Sequence, residues 1–152
     1  MRGRTKTKMK KKIAIIAGGD SSEYEVSLRS AAGIYSFLDH ERYDTTIVRM
    51  RGNDWQALPN INPLQEDLLQ SGAPIDKNDF SYIHNGQKHH FDFAYITIHG
   101  TPGENGVLQG YLDMLRIPYS CCGVLAAALS FNKYACNHYL SGFGIQTAKS
   151  IL

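Results

Sequence analysis

The sequence predicts an α/β fold in which a parallel β-sheet is covered by helices on both faces. Apolar, β-branched strand patterns alternate with helical patterns along the chain, as in repeated βαβ units. Residues 13–17 are apolar without interruption, which is typical of a strand buried on both faces of a parallel sheet. In residues 22–38, apolar side chains recur at the spacing of a helix that packs on such a sheet.

The first strand turns at Gly18 and Gly19 into the predicted helix at 22–38. Two glycines permit a tight turn and let backbone N–H groups approach a ligand closely. Ser22 and Glu25 have the spacing of a capping box, in which each side chain accepts a hydrogen bond from the other residue's backbone amide. This turn is therefore a predicted site for a small ligand.

A second segment repeats this architecture, since the apolar strand predicted at 93–98 ends in polar His99 and a glycine. Thr101 and Glu104 have the spacing of another capping box, and a proline stands at the first position of the helix predicted at 102–115. Ligands of open α/β sheets bind outside the carboxyl ends of the strands. The two turns are therefore expected to meet at one crevice.

The remaining predicted elements complete the alternation. Asn85 and Gly86 stand between alternating segments, which is the strongest short signal of a β-hairpin. The predicted inward face of the helix at 102–115 consists of Val107, Leu108, Tyr111, Leu112 and Leu115. The other predicted elements are strands at 12–17, 43–50, 55–58 and near Pro118, and helices at 62–71, 123–130 and 132–141.

Composition indicates one globular domain, because 152 residues at 43% hydrophobic content can bury a sizeable core. Seven of the sixteen basic residues lie in residues 1–12, so the rest of the chain has nine basic and fourteen acidic residues. A basic run also suits nucleic acid or an anionic surface, but residues 1–11 are predicted to be a disordered leader, and Met9 is an alternative start. Neither a nucleic-acid nor a membrane partner is expected. No apolar segment follows the basic run as in a secretory signal, which favours a cytoplasmic protein.

The cysteines and most of the histidines do not form a predicted metal site. No C-x-x-C spacing is present, and the three cysteines are expected to be small core residues: Cys121, Cys122 and Cys136. Three histidines are expected to be exposed on the predicted hairpin, without the carboxylate or cysteine partner that a metal requires: His84, His89 and His90.

Three stretches in order carry a family pattern. Gly18 to Ser27 follows G-G-x-S-x-E-x-E-V-S, and His99 to Gly110 follows H-G-x-x-G-E-D-G-x-x-Q-G. Ile117 to Lys133 resembles I-P-Y-x-G-x-x-x-x-x-x-A-L-x-x-D-K, with Cys121 at the position of its glycine. Together they resemble the N-terminal part of the D-alanine:D-alanine ligases of the ATP-grasp superfamily. The two aspartates of the pattern are asparagines here, Asn105 and Asn132, and Asn132 is expected to cap a helix as an aspartate would.

The resemblance implies a Rossmann-like pre-ATP-grasp domain over 12–130 and a truncated start of the central ATP-grasp region at 131–152. It also implies the reaction of the longer enzyme, in which ATP with Mg²⁺ phosphorylates the first D-alanine and the amine of the second attacks the acyl phosphate. The product is the dipeptide of peptidoglycan. The Mg²⁺ ligands are expected outside this chain, which is expected to be inactive alone and to belong to a homodimer.

The same resemblance implies roles for individual residues. Glu23 would hold the ammonium group of the first D-alanine, although a first-turn carboxylate also stabilises the helix by itself. His99 would lie beside the carboxylate of that D-alanine, and Lys133 would approach the ATP phosphates. Glu104 is a further candidate, but its capping box already explains it. The other positions implied to line the first D-alanine pocket are Gly18, Gly19, Val26 and Ser27.

Two alternatives remain open from the sequence. One is a D-alanine:D-lactate ligase of the same superfamily, because the residues that separate these specificities lie largely beyond this chain. The other is a Rossmann-like binding or dimerisation module without catalysis. Dinucleotide binding is disfavoured, since the glycine turn lacks G-x-G-x-x-G spacing and the second strand ends in Arg49-Met50-Arg51 instead of a ribose-binding acid.

Overall fold

A computed structural model describes residues 9–151 of the chain. Most of the predicted leader at 1–11 lies outside the described residues. The elements are β1 Lys11–Gly18, α1 Tyr24–Phe37, β2 Tyr43–Arg51, β3 Asp54–Leu58, β4 Ala73–Asp76, β5 Ser81–His84, β6 Gln87–His89, β7 Phe93–Ile96, α2 Val107–Met114, α3 Val124–Phe131 and α4 Lys133–Ser141.

The described strands form one seven-stranded sheet in the order β6-β5-β4-β3-β2-β1-β7. β1 pairs in parallel with β2 and β7, as predicted, and the α/β fold class is confirmed. The sheet is mixed, however, because β2 to β6 follow one another in antiparallel order. Only residues 52 and 53 separate β2 from β3, and a parallel pair needs a crossover of a dozen residues or more.

The alternation of β1 divides the core into two layers. Ile13 and Ile15 pack on the face that α1 covers, together with Leu28 and other apolar residues. Ala14 and Ile16 point to the opposite face, where Leu108 of α2 packs. The helices therefore cover both faces of the sheet, as the sequence predicts. β1 lies between β2 and β7, and the candidate site is built where these strands end.

Helix α2 begins later than predicted. Residues 101–106 form turns, and the helix starts at Val107 because Gly106 has φ +88°, a left-handed conformation that no helix interior adopts. The inward assignment of Val107 is wrong, since its side chain is 60% exposed. Gln109 is buried in its place at 1% exposure. The predicted first helical position of Pro102 is wrong as well.

The start of α1 also differs from the prediction, because the Ser22–Glu25 capping box does not form. Ser21 Oγ instead accepts a hydrogen bond from the amide of Glu23 at 3.2 Å. Ser21 is already held by the carbonyl of His99, 78 residues away. A tertiary contact thus decides which serine serves the helix start.

Of two further predictions outside the site, one is confirmed and one is wrong. The hairpin is confirmed, with Asn85 at φ 51° and Gly86 at φ 74° joining β5 to β6. The helix predicted at 62–71 is wrong. Asn62 Oδ1 accepts from the amide of Leu64 at 3.1 Å, and such local bonds favour a turn over a helix. Within residues 9–151, no helix combines the length and apolar character needed to cross a bilayer.

Candidate functional site

Residues 18–23 form the turn after β1, here called the β1 turn. Its conformation requires glycine at two positions. Gly18 has φ +100°, and a Cβ there would lie 2.3 Å from the Met50 carbonyl oxygen. Gly19 has φ +94°, and a Cβ there would lie 2.5 Å from Ile98 Cγ2. The amide of Gly19 donates to the Met50 carbonyl at 2.8 Å. The β1 turn therefore lies tightly between the ends of β2 and β7.

Ser27 ties three elements together beneath this turn. Its hydroxyl accepts from the Gly18 amide at 2.9 Å and donates to the Thr97 carbonyl at 2.8 Å. Thr97 Oγ1 in turn donates to the Ile16 carbonyl at 2.9 Å. Ser27 is 0% exposed. Its predicted place in the lining of a pocket stays a prediction, and what its hydroxyl does in the described structure is to fix backbone.

The turn after β7, residues 97–106, is the β7 turn. Glu104 folds back within it, since its carboxylate accepts from the Gly100 amide at 2.7 Å and its own amide donates to the Gly100 carbonyl at 2.8 Å. The predicted capping box of Thr101 and Glu104 is therefore wrong, because Glu104 bonds to the backbone of Gly100 instead, ahead of α2. The carboxylate is occupied by backbone in this arrangement.

The two turns contact each other directly. Ser21 Oγ donates to the His99 carbonyl at 2.8 Å, and the Asp20 amide donates to the Thr101 carbonyl at 2.9 Å. Asp20 also accepts from the Gly52 amide at 2.6 Å, which holds the loop after β2 to the same junction. The predicted meeting of two turns at the carboxyl ends of parallel strands is confirmed.

Three of the predicted site side chains border this junction without a structural task of their own in the described residues. Glu23 is exposed at the start of α1 and makes no capping hydrogen bond. Val26 is 39% exposed one turn further on. His99 is half-buried in the β7 turn. Their roles in binding stay predictions.

Lys133 lies elsewhere, at the first position of α4. Its ammonium group is exposed and donates to the Ser130 carbonyl at 2.9 Å. Asn132 caps this helix, because its side-chain oxygen accepts from the Ala135 amide at 3.0 Å. The expectation that asparagine preserves the cap is confirmed. The contact of Lys133 with phosphate stays a prediction.

The other titratable groups depart from expectation. Cys121 and Cys122 are exposed and Cys136 is half-buried, so the prediction of core cysteines is wrong; α4, which carries Cys136, has no buried residue. His84 and His89 are half-buried, because His84 contacts Asn60 and His89 stacks on a tyrosine of β5. The described residues contain no group of three histidine, cysteine or acidic side chains that could hold a metal ion.

Sequence reasoning missed the residues that hold the two turns together. Ser21 was passed over in favour of Ser22, and Gln109 was placed on no face of its helix. Gln109 Nε2 donates to the Gly103 carbonyl of the β7 turn at 2.6 Å. Both residues are fixed letters of the family patterns quoted above, and Gln109 is also a polar residue among the apolar positions of a helix packed against the sheet.

These features define an α/β domain in which two glycine turns meet at adjacent strand ends, the position at which open α/β sheets bind their ligands. The model of the family described as "D-ala D-ala ligase N-terminus" matches residues 12–122. The chain therefore belongs to the D-alanine–D-alanine ligase N-terminus family. The match lies within the domain predicted at 12–130, whose end at residue 130 stays a prediction.

Similar proteins agree with this membership. The chain is 60% identical over 145 residues to a D-alanine–D-alanine ligase of Phocaeicola vulgatus, a match that covers 95% of this chain and 42% of that protein. A D-alanine–D-alanine ligase of Bacteroides fragilis strain YCH46 is 58% identical over 145 residues, again with 42% of its length covered. The chain thus spans less than half the length of the curated relatives it matches.

Solved structures share the fold. D-alanyl-alanine synthetase A of Vibrio cholerae has a TM-score of 0.74 at 31% identity, covering 90% of this chain and 38% of that one. The VanG D-Ala:D-Ser ligase of Enterococcus faecalis has a TM-score of 0.76 at 26% identity, covering 93% and 44%. The arrangement of strands and helices around the two turns is therefore one that larger ligases contain.

Proposed function

We propose that this chain carries the first D-alanine half-site of an ATP-dependent D-alanine–D-alanine ligase. The observation that supports this best is the contact of the two turns, in which Ser21 Oγ reaches the His99 carbonyl at 2.8 Å. An acidic side chain, Glu23, and an imidazole, His99, then border one junction. An amino acid needs an anion for its ammonium group and a donor for its carboxylate. The proposed reaction is the one after which the similar ligases are named.

Glu23 holds the ammonium group of the first D-alanine in this proposal. Its carboxylate is exposed and is not used in capping α1. A hydrogen bond between a carboxylate and an ammonium group is charge-assisted and about twice as strong as a neutral one. The adjacent helix start also favours a negatively charged side chain at this position.

His99 orients the carboxylate of the same D-alanine. Its backbone is fixed by the bond from Ser21 to its carbonyl, so the half-buried ring starts from a defined position. A ring N–H aimed at the carboxylate offsets negative charge as the carboxylate reacts. Val26, on the same helix as Glu23, offers an exposed apolar contact for the methyl group.

In the proposed reaction ATP supplies the phosphoryl group that makes the first D-alanine an acyl phosphate, which the amine of the second D-alanine attacks with release of phosphate. Lys133 fits a contact with phosphate, since its ammonium group is exposed at a helix start. No three-residue metal cluster occurs in the part of the chain that the structure describes. Mg²⁺ ligands and the second D-alanine site are therefore proposed to lie in a longer polypeptide.

The test is a phosphate-release assay on the polypeptide of the complete reading frame and on the 152-residue chain. The longer polypeptide is expected to release phosphate from ATP only when D-alanine is present. The 152-residue chain is expected to bind D-alanine in calorimetry without turnover. D-alanine-independent release, or turnover by the short chain, would contradict the proposal.

Glu23→Gln with Glu25→Gln as its control tests the site itself. Both changes remove a carboxylate from the exposed start of α1, but only Glu23 is proposed to contact D-alanine. Glu23→Gln should weaken binding at the first site by about 1.5–3 kcal/mol, the usual contribution of a hydrogen bond to a charged group. Equal KM values for the two variants would return Glu23 to a helix-stabilising role.

The finer specificity and the assembly belong to the same proposal. D-lactate and D-serine offered as second substrates distinguish the D-alanine ligase from its D-lactate or D-serine counterparts, and D-alanine is expected to be preferred. A homodimer in the cytoplasm is proposed for the longer polypeptide. Sedimentation velocity tests the dimer, and a single sedimenting species of monomer mass would refute it.

A further inference from the structure

Gln109 is a buried polar side chain with only one end paired. Its side chain is 1% exposed, on a helix that packs against the apolar core. Nε2 donates to the Gly103 carbonyl at 2.6 Å and lies 3.1 Å from Cys121 Sγ. Oε1 has no hydrogen-bond partner among the described residues. An unpaired buried amide oxygen destabilises a fold, so the reason for an amide here must lie with the donor end.

Gly103, whose carbonyl accepts from Gln109, is tightly packed against its neighbours. Gly103 is buried, and a Cβ there would lie 2.6 Å from the Ile98 carbonyl oxygen and from Ile98 Cβ. Ile98 also limits Gly19, where a Cβ would lie 2.5 Å from Ile98 Cγ2. Ile98, itself part of the β7 turn, therefore packs against both Gly103 of its own turn and Gly19 of the β1 turn. A displacement of Gly103 changes the space in which both turns are seated.

The β7 turn passes this restraint on to His99. The Gly100 amide is bonded to the Glu104 carboxylate, and the Glu104 amide to the Gly100 carbonyl, so residues 100–104 move together. Gly103 lies within this bonded loop, and Gly100 follows His99 directly. No other side chain of α2 donates to the β7 turn in the described residues.

We propose that Gln109 is a positioning residue that fixes the β7 turn, and with it His99, relative to the β1 turn. This inference rests on the proposed D-alanine site for its functional part. Gln109 does not touch the substrate; it acts through Gly103. Loss of its donor should therefore loosen the turn and weaken the binding of the first D-alanine, while ATP binding is unaffected.

The test uses Gln109→Met in the polypeptide of the complete reading frame, because methionine keeps the volume and removes the donor. KM for the first D-alanine should rise about tenfold, as expected for one lost hydrogen bond at the upper end of its range, with KM for ATP unchanged. Leu112→Ala is the matched control. Leu112 is 0% exposed on the same helix, so its truncation lowers Tm without removing a bond to the turn.

Gln109→Glu supplies a readout that a packing role does not move. An ionised carboxylate repels the Gly103 carbonyl, whereas a protonated one donates to it. Activity of this variant relative to the parent should therefore recover as the pH falls, and that of Gln109→Met should stay flat. A flat ratio for Gln109→Glu would contradict the proposed donor role.

Hydrogen exchange separates this inference from the proposed function. The Gly100 amide should exchange faster in Gln109→Met than in Leu112→Ala when both are compared at equal global stability. If the parent shows no D-alanine-dependent turnover, the proposed function fails, and faster Gly100 exchange still supports positioning. Exchange and KM equal to those of Leu112→Ala would overturn the positioning role.

Discussion

Ser27→Ala removes the hydroxyl that joins β1, α1 and the β7 turn. That hydroxyl accepts from the Gly18 amide at 2.9 Å and donates to the Thr97 carbonyl at 2.8 Å, at a site with 0% exposure. Alanine leaves the buried Gly18 N–H and the part-buried Thr97 C=O without this partner. An unpaired buried group costs about 1–3 kcal/mol and a part-buried one less, so we expect a loss of about 2–4 kcal/mol in the free energy of unfolding.

The loss is large enough to measure, since whole domains are stable by only about 5–15 kcal/mol. Urea denaturation followed by circular dichroism gives the change as a lower midpoint at unchanged slope. Ser30→Ala is the control on the same helix, because Ser30 Oγ only bonds back to the Val26 carbonyl at 3.0 Å. That change should stay within about 0.5 kcal/mol.

A Ser27→Ala loss no greater than that of Ser30→Ala would refute the reasoning. It would mean that the Gly18 amide and the Thr97 carbonyl find other partners, and that the two strand ends are held by packing alone. In that case Ser27 would return to its predicted role in lining a pocket.

Further changes test separate parts of the structure. Gly18→Ala combines positive φ with a Cβ 2.3 Å from backbone and should cost about 2–4 kcal/mol in urea denaturation, whereas Gly52→Ala, with φ +51° and nothing within 4 Å, should cost about 1 kcal/mol. Asn132→Ala should lower the free energy of unfolding by about 1 kcal/mol, and Asn132→Asp should not. Burial, assisted by nearby acidic charge, raises the pKa of Tyr111 from 10.0 to about 12. Its neutral form therefore stabilises the fold below pH 10, and about 1 kcal/mol of this, after solvent screening, should be lost as the pH rises from 10 to 12. Tyr111→Phe should remove that alkaline dependence in a pH series of thermal melts.

Local signals were enough for the elements that depend on neighbours in sequence. The unbroken apolar run of β1 and the Asn85-Gly86 turn both appear as predicted. The antiparallel part of the sheet was missed, although the two-residue link between β2 and β3 leaves room for no other arrangement. The link was not recognised in the sequence because the residues around Gly52 are polar.

The candidate site shows where sequence patterns stop. The motifs around Glu23 and His99 mark two strand ends whose turns meet in the structure, because such turns have strong local signatures. The hydrogen bonds that join these turns have no such local signature. Ser21 donates to the His99 carbonyl, which is 78 residues away, and Gln109 is buried among apolar residues of its helix. Which of two adjacent serines is used, and which polar residue faces inward, depends on tertiary contacts.

The site divides its polar groups into two sets with different expected effects on mutation. Ser27, Ser21 and Gln109 use their hydrogen bonds on backbone groups of the two turns. Glu23 is exposed, and its side chain makes no capping hydrogen bond. Changes in the first set should lower stability and affinity together, because they alter the backbone on which the site is built. A change at Glu23 should lower affinity with a Tm shift no larger than that of Glu25→Gln, because both carboxylates lie at the same helix start, so a loss of affinity beyond the control is what would distinguish a ligand contact from a structural group.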